Sequence, residues 1–206
     1  KARALFMLRR PAEATVVLEA LPLATRNSPE VAMFGAELAV QRDQPAAAIS
    51  NLLCAARAPG LADRIRDLFP YLAVHDQWQT IVEANPAWPY RKPEHALMVA
   101  NANLRLNKVL DASAVLRQAL ALWPDDPLFL DPLMAMTLLN PGSEWEERFR
   151  RSFEQNLSRL SRDDLSRFLK TCMVSRRPDL AWQAYRRLTR LDPRDPALFL
   201  APALFA

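Results

Sequence analysis

Glycine is scarce in this sequence, and its scarcity removes two classes of nucleotide-binding site. Only three glycines occur among 206 residues, and Gly35, Gly60 and Gly142 lie far from one another. A loop that cradles phosphate groups needs clustered glycines, because its backbone must approach the ligand closely. The sequence therefore excludes a P-loop and a dinucleotide-binding fingerprint.

Cysteine and histidine are rarer still, with two residues of each. Cys54 and Cys172 lie far apart within predicted helices, so we predict two buried thiols and neither a disulfide nor a metal site. His75 borders a predicted turn, and His95 lies in the first turn of a predicted helix. Neither has a second histidine or cysteine at metal-ligand spacing. We expect solvated or helix-end imidazoles, no metal and no cofactor.

Long apolar runs and catalytic constellations are also missing. No stretch approaches the roughly 20 apolar residues of a membrane-spanning helix, and no signal-peptide pattern opens the chain. The carboxylate pairs Asp125–Asp126 and Asp163–Asp164 precede predicted helices, where acidic groups complement the helix dipole. No serine lies in a nucleophile-elbow context. The segment is predicted not to be an enzyme, and a catalytic domain elsewhere in a longer parent chain stays open.

The sequence does contain a periodic pattern of alanine and proline. A small-x3-large pair recurs at Ala14-x3-Leu18, Ala48-x3-Leu52, Ala112-x3-Leu116 and Ala181-x3-Tyr185. The four alanines are separated by 34, 64 and 69 residues, so the two wide gaps each hold one degenerate unit. Pro11, Pro45 and Pro178 precede three of these alanines by three residues, a place where proline starts a helix. The pattern indicates repeated short helices.

The clearest unit runs from Pro93 to Pro124 and predicts two amphipathic helices joined by a turn at Asn107–Lys108. Its apolar positions at helical spacing are Leu97, Ala100, Leu104, Ala112, Val115, Leu116, Ala119 and Leu122. Small side chains among them allow the two helix axes to approach closely. Pro124 ends the second helix because it cannot continue the hydrogen-bond ladder.

This unit resembles the tetratricopeptide repeat, whose period is about 34 residues. It keeps the second half of the family pattern as Ala112-x3-Leu116…Pro124, and places Ala96, Val99, Ala100 and Asn103 in the first half. The resemblance implies an all-α fold, a right-handed solenoid of antiparallel helix pairs with about six repeats. It covers residues 1–206 as a single domain. Only ten residues precede Pro11, so the register predicts that the segment belongs to a longer repeat array.

Local signals place further helix boundaries. Ser28-Pro29 predicts a side-chain cap and a helix to Arg42. Pro70 lies inside an apolar pattern and predicts a kink or a split. Ser143–Glu146 and Ser161–Asp164 are capping-box patterns. The first is predicted to open a helix longer than a standard repeat helix, because its apolar row continues through Trp145, Phe149, Phe153, Leu157 and Leu160.

In tetratricopeptide-like arrays the first helices of successive repeats line a concave groove that binds an extended peptide or a helix of a partner. Carried over position by position, the resemblance implies groove residues Glu30, Met33, Glu37, Glu94, Leu97, Asn101, Arg105, Asp163, Arg167 and Lys170. The lysine and asparagine set of the chaperone-binding members is not reproduced, since only Asn101 fits it. We expect the groove to change from acidic at Glu37 to basic at Lys170. The alternative is that these are ordinary solvated helix residues.

The formal net charge of +4 resides in the last part of the chain, where residues 144–206 contain 13 Lys and Arg against 9 Asp and Glu. Its arginines predict a basic patch for an acidic protein, an anionic polysaccharide or nucleic acid. The alternative is a solvated face interleaved with glutamates. The residues of the predicted patch are Arg150, Arg151, Arg186, Arg187 and Arg190.

Three interpretations of function follow. The first is a non-catalytic scaffold for protein–protein interaction that binds a protein or peptide in its groove. The second is a periplasmic segment of a bacterial exopolysaccharide export machine, because degenerate repeat arrays rich in arginine and alanine are similar to those scaffolds. This interpretation favours the periplasm over the cytoplasm. Nucleic-acid binding ranks third.

Overall fold

All the regular secondary structure that the described residues form is helical. The computed structural model describes residues 2–86, 89–174 and 177–200, and over these ranges it contains 14 α-helices, three short 3₁₀ helices and no strand. The all-α fold class predicted from the sequence is confirmed. Within the same ranges, every helix is too short or too polar to cross a membrane.

The residues group into two compact units, Lys1–Ala119 and Leu120–Ala206, here called unit 1 and unit 2. The helices that begin in unit 1 are α1 (Ala2–Met7), α2 (Pro11–Glu19), α3 (Leu23–Arg26), α4 (Pro29–Gln41), α5 (Pro45–Ala55), α6 (Ala62–Arg66), α7 (Phe69–Val74), α8 (Trp78–Ala84), α9 (Pro93–Arg105) and α10 (Val109–Leu122). Those of unit 2 are α11 (Leu130–Leu139), α12 (Glu144–Asn156), α13 (Arg162–Val174) and α14 (Pro178–Leu191).

Prolines start many of these helices, as the sequence predicted. Proline occupies the first turn of α2, α4, α5, α7, α9 and α14. At that place its missing N–H has no helical partner to lose, and its fixed φ angle already suits a helix. Pro70 splits the degenerate pattern into α6 and α7, so of the two predicted outcomes the split is the one observed.

Four turns between paired helices share one backbone geometry. Arg9, Asp43, Asp76 and Asn107 have φ angles of 55°, 53°, 56° and 57°, and successive members lie 34, 33 and 31 residues apart. The N–H of the following residue donates to a carbonyl five residues back, as Lys108 does to Asn103 at 2.8 Å. This is the hydrogen bond of a Schellman helix end, which lets the chain reverse direction. The predicted turn at Asn107–Lys108 is confirmed.

The left-handed turns contain no glycine, and Arg9 is the member least suited to its conformation, because Asn and Asp adopt positive φ more readily. Arg9→Gly should therefore raise the free energy of unfolding by about 0.5–1 kcal/mol. Urea denaturation measures the change. The control is Leu8→Gly, at an exposed neighbouring residue that is not among those with a positive φ angle. It should lower the free energy of unfolding. Equal effects of the two substitutions would contradict the assigned turn.

The alanines of the repeat pattern lie in the core. Ala14, Ala112, Ala119 and Ala181 are fully buried, and α4 packs against α5, α11 against α12 and α13 against α14. The alanine positions predicted from the sequence are therefore confirmed as core. The prediction that Leu122 belongs to the apolar face was wrong, because Leu122 is 54% exposed and Leu120 is buried in its place. The buried stripe follows i, i+4, i+7, i+8 spacing from Ala112, which excludes position 122.

Helix α12 differs from its prediction in length and capping. It has 13 residues, as α4, α9 and α13 do, so the expectation of an unusually long helix was wrong. Its end at Asn156 coincides with an amide that donates to the carbonyls of Ser152 and Asp125. The contact with Asp125 binds the last turn of α12 to the loop between α10 and α11.

The two capping-box patterns behave differently. Ser143 makes no side-chain cap, because Glu146 accepts instead from the Gly142 N–H at 2.9 Å. The Ser161 box does form, since the Asp164 N–H donates to Ser161 Oγ at 3.2 Å and the Ser161 N–H donates back at 3.3 Å. Ser28 also occupies an N-cap position without a side-chain cap.

Candidate functional site

Polar contacts between successive repeats use much of the charge that the sequence assigned to surface binding. They join residues about one repeat apart, which accounts for their recurrence along the chain. In unit 1 these pairs include Glu37–Arg64, Asp43–Tyr71 and Asp67–His95. In unit 2 they include Asp125–Asn156, Glu154–Gln183 and Ser158–Arg187.

In unit 1 the predicted groove residues fall into three groups. Glu30, Glu94 and Arg105 are exposed, while Leu97 and Asn101 are half-buried. Glu37 is also half-buried, and its carboxylate accepts from Arg64 at 2.6 Å. Met33 is fully buried, so it offers no surface to a partner. A buried stripe on α4 that includes Ala32, Ala36 and Ala39 explains this, because Met33 shares that face.

In unit 2 the predicted groove residues Asp163, Arg167 and Lys170 are all exposed. Arg167 already lies 3.1 Å from Asp131 and 2.9 Å from Asp164. Lys170 makes no ion pair with any residue that the structure describes. The basic end of the predicted groove therefore retains one unpaired cation of the two.

His95 is buried, not solvated as the sequence suggested. The residue is 4% exposed, and its Nε2 lies 2.9 Å from Asp67 Oδ1. Burial alone would raise the pKa of Asp67, but hydrogen bonds from Lys92 and His95 outweigh burial and lower it. Asp67 is thus ionised, and its carboxylate accepts a hydrogen bond from the Nε2–H group of His95. The partner lies 28 residues earlier, on the preceding repeat, where no local sequence signal could reveal it. His75, by contrast, is the predicted helix-end histidine, at the end of α7.

Arg66 is a buried cation that anchors the loop before α9. It is 1% exposed, and its guanidinium donates to Asn85 Oδ1 at 3.2 Å, to the Pro89 carbonyl at 3.1 Å and to the Pro86 carbonyl at 2.8 Å. It also lies over the ring of Tyr90, 4.5 Å from the centroid. Burial lowers the pKa of Arg66 and raises that of Tyr90. These three hydrogen bonds hold two carbonyls and one side-chain amide of the loop in place.

The acidic, histidine and cysteine side chains of the described residues are dispersed. They contain no group of three His, Cys, Asp or Glu side chains placed to bind a metal ion. Burial raises the pKa of the Cys172 thiol to about 12, so the thiol stays protonated. Cys54 was predicted to be buried and is only half-buried, because its Sγ faces the Asn27 carbonyl at 3.3 Å near the surface.

The outer surface of α14 carries an exposed aromatic and two arginines in one row. Trp182 is 46% exposed and stacks on Tyr185 with 5.6 Å between ring centroids. Arg186 and Arg190 follow at i+4 and i+8, are exposed, and form no ion pair within the described chain. We call Trp182, Tyr185, Arg186 and Arg190 the α14 stripe. Sequence reasoning found its arginines but missed Trp182, although the four-residue spacing was a visible signal.

The other members of the predicted basic patch are dispersed. Arg150 is paired with Glu147 on the same helix. Arg187 donates to the Ser158 carbonyl at 3.1 Å and is only half-exposed. Arg151 is exposed and lines a cavity of unit 2. Two of the five predicted residues therefore share the α14 stripe, Arg150 and Arg187 make contacts elsewhere, and Arg151 lines a cavity.

Cavities occur in both units, and arginine side chains contribute to their linings. One of about 350 Å³ lies in unit 1 between α2, α4 and α5 and includes Arg26, Arg42 and Asn51. Gly35 lines it, and a Cβ at that position would lie 3.1 Å from the Asn51 amide, so the close approach of α4 and α5 favours glycine there. The second cavity, of about 140 Å³, lies in unit 2; its lining residues are Leu120, Pro124, Asp125, Leu133, Arg148, Arg151 and Ser152.

Comparison with known proteins identifies the fold and no family. No protein-family model and no curated protein sequence matches the chain. The chain is similar in structure to the crystal structure of PilW, described as a widely conserved type IV pilus biogenesis factor, at 16% sequence identity and a TM-score of 0.54. The match covers 98% of this chain and 94% of that one. At this identity the likeness establishes a shared helical repeat fold.

Proposed function

We propose that this chain is a non-catalytic scaffold that binds an acidic segment of another protein through the α14 stripe. The observation that carries the proposal is Trp182, a large aromatic side chain left 46% exposed on a helix of a well-packed unit. Trp, Tyr and Arg are the residues that most often dominate the binding energy of protein interfaces. The stripe contains all three types.

Charge selects the kind of partner. Arg186 and Arg190 are exposed and lack carboxylate partners within the described chain, and residues 144–206 carry an excess of basic side chains. An acidic segment would pair with these guanidiniums, while its apolar side chains would pack on Trp182. Such complementarity increases the association rate and orients the partner.

The likeness to a type IV pilus biogenesis factor supports a role in assembling a bacterial envelope machine, which extends the proposal to a periplasmic site of action. It also directs the search for the partner toward pilus-assembly proteins. Neither the structure nor the comparisons adds support for exopolysaccharide export or for nucleic-acid binding. The protein scaffold is therefore the interpretation that we retain.

A photo-crosslinking residue at position 179 of the protein, an exposed place one helical turn before Trp182, should capture the partner in cells while leaving the stripe intact. With the purified partner, Trp182→Ala should weaken binding at least about 30-fold, because a central aromatic anchor contributes about 2 kcal/mol or more. The matched control is Leu191→Ala, which truncates a side chain of similar exposure on the opposite side of α14. Circular dichroism should show both variants folded.

The alternative contact surface is the exposed part of the predicted groove in unit 1. Reversing Glu30 and Arg105 tests it directly, because both are exposed there. Should that double reversal abolish binding while Trp182→Ala leaves it intact, the groove is the working surface and the assignment to α14 is wrong.

A further inference from the structure

The cavity of about 140 Å³ beside α12 has the chemistry of a carboxylate site. We propose that it receives one carboxylate side chain of the acidic partner segment, an inference that rests on the proposed function and supplies a second anchor for it. The cavity belongs to unit 2, as the α14 stripe does, and α14 contacts α12 through the hydrogen bond that Gln183 donates to Glu154.

Ser152 provides the first argument. The residue is 3% exposed, and its Oγ has no hydrogen-bond partner among the described residues although it lines the cavity. Serine is a weaker helix former than alanine, and an unpaired buried hydroxyl is unfavourable. The Ser152 hydroxyl therefore destabilises the protein when the cavity is empty. Its presence is explained if it donates a hydrogen bond to an oxygen of a ligand.

The two arginines of the cavity provide the second argument for a carboxylate site. Arg151 is exposed and makes no hydrogen bond or ion pair within the described chain. Arg148 has one carboxylate near it, Glu144 at 3.4 Å, and it lies 5.8 Å from the centroid of the Trp145 ring. Each guanidinium has five N–H donors and no acceptor, and its planar fork matches a carboxylate.

The remaining lining residues limit the chemical class of ligand that fits the cavity. Asp125 also lines the cavity, so a doubly charged phosphate would be repelled more strongly than a single carboxylate. Leu120, Pro124 and Leu133 provide an apolar wall that suits a short methylene chain. The volume is below that of drug-sized pockets, which begin near about 300 Å³. A glutamate or aspartate side chain meets all three conditions.

The test measures binding of a fluorescein-labelled peptide that combines Asp and Glu with leucines to the whole protein by fluorescence anisotropy. The uncharged probe is the same peptide with Asn and Gln in place of Asp and Glu. Arg151→Gln should weaken binding by at least about tenfold, the loss expected for one charge-assisted contact. Ser152→Ala should weaken it about fivefold. The same Ser152→Ala variant should melt at an equal or higher temperature without peptide, because it removes an unpaired hydroxyl.

The matched control is Arg159→Gln, which removes the same charge from an exposed arginine that does not line the cavity. It should change affinity less than twofold. An equal loss for Arg159→Gln and Arg151→Gln would indicate binding to diffuse charge and overturn the inference, as would a stability loss in Ser152→Ala with unchanged affinity.

The outcomes separate this inference from the proposed function. If Trp182→Ala weakens peptide binding while Arg151→Gln and Ser152→Ala do not, the cavity is not the anchor and the α14 stripe stands. If the cavity variants weaken binding while Trp182→Ala does not, the cavity binds carboxylates and the stripe is wrong. Absence of binding by the unaltered protein overturns the acidic ligand for both surfaces.

Discussion

Arg66→Met should lower the free energy of unfolding of unit 1 by about 3–5 kcal/mol, the cost of removing one partner from a buried charged network. Methionine fills a similar volume, so the loss arises from hydrogen bonding and not from a cavity. Asn85 Oδ1 and the carbonyls of Pro86 and Pro89 would all lose the guanidinium donors they now accept from.

The matched control is Arg64→Met, the same substitution two residues earlier. Arg64 is partly exposed and makes its ion pair with Glu37, so we expect a change of at most about 1 kcal/mol. Urea denaturation gives the free energies, and hydrogen exchange of amides in residues 62–105 localises the effect. Similar losses for the two variants would show that the loop does not depend on Arg66.

Arg66→Lys separates charge from geometry at the same position. Lysine keeps the positive charge but offers a single ammonium in place of a planar fork. It cannot reach three acceptors that are spread over Asn85, Pro86 and Pro89, so most of the loss should persist. Recovery of full stability by lysine would mean that the charge alone anchors the loop.

The sequence was sufficient to predict those features that depend on local pattern. The central unit appears as α9 and α10 with its turn at Asn107, because alanine spacing and flanking prolines determine where helices start and touch. Pro70 divides its segment for the same local reason. These signals act within one or two helical turns, so a single sequence contains them in full.

Contacts between repeats were not predictable in this way. His95 looked like a solvated first-turn residue, and its burial depends on Asp67, which lies 28 positions earlier. Arg66 is buried because a proline-rich loop about 20 residues later presents free carbonyls to it. A helical period shows which side of a helix a residue occupies, but not which polar group the next repeat brings to it.

In the candidate site, too, local features were predictable from the sequence and contacts between repeats were not. Arg186 and Arg190 were predicted as basic surface residues and are exposed, since composition alone favours that outcome. Glu37 and Arg167 were predicted to face a partner, and each pairs with an opposite charge on a neighbouring helix of its own unit. Charge complementarity within the array competes with charge complementarity to a partner, and only the three-dimensional structure shows which pairs form.

Phe153→Ala should destabilise unit 2 by about 3–5 kcal/mol, the usual cost of truncating a buried phenylalanine. Phe153 is fully buried, and its ring centroid lies 5.9 Å from that of Phe149 and 5.8 Å from that of Phe168. Phe168 belongs to the next helix, α13. The substitution therefore removes both apolar burial and an aromatic contact that joins α12 to α13.

Two controls distinguish this core contact from a helix-propensity effect. Phe153→Leu keeps most of the apolar volume and should cost about 1.5 kcal/mol or less. Gln155→Ala changes an exposed residue of the same helix and should stay within about 0.5 kcal/mol of the unaltered protein. Urea denaturation followed by tryptophan fluorescence, which includes the buried Trp145 beside this cluster on α12, provides the free energies. A loss below about 1 kcal/mol for Phe153→Ala, against the 3–5 kcal/mol of a close-packed site, would show that the three rings do not form the core of unit 2.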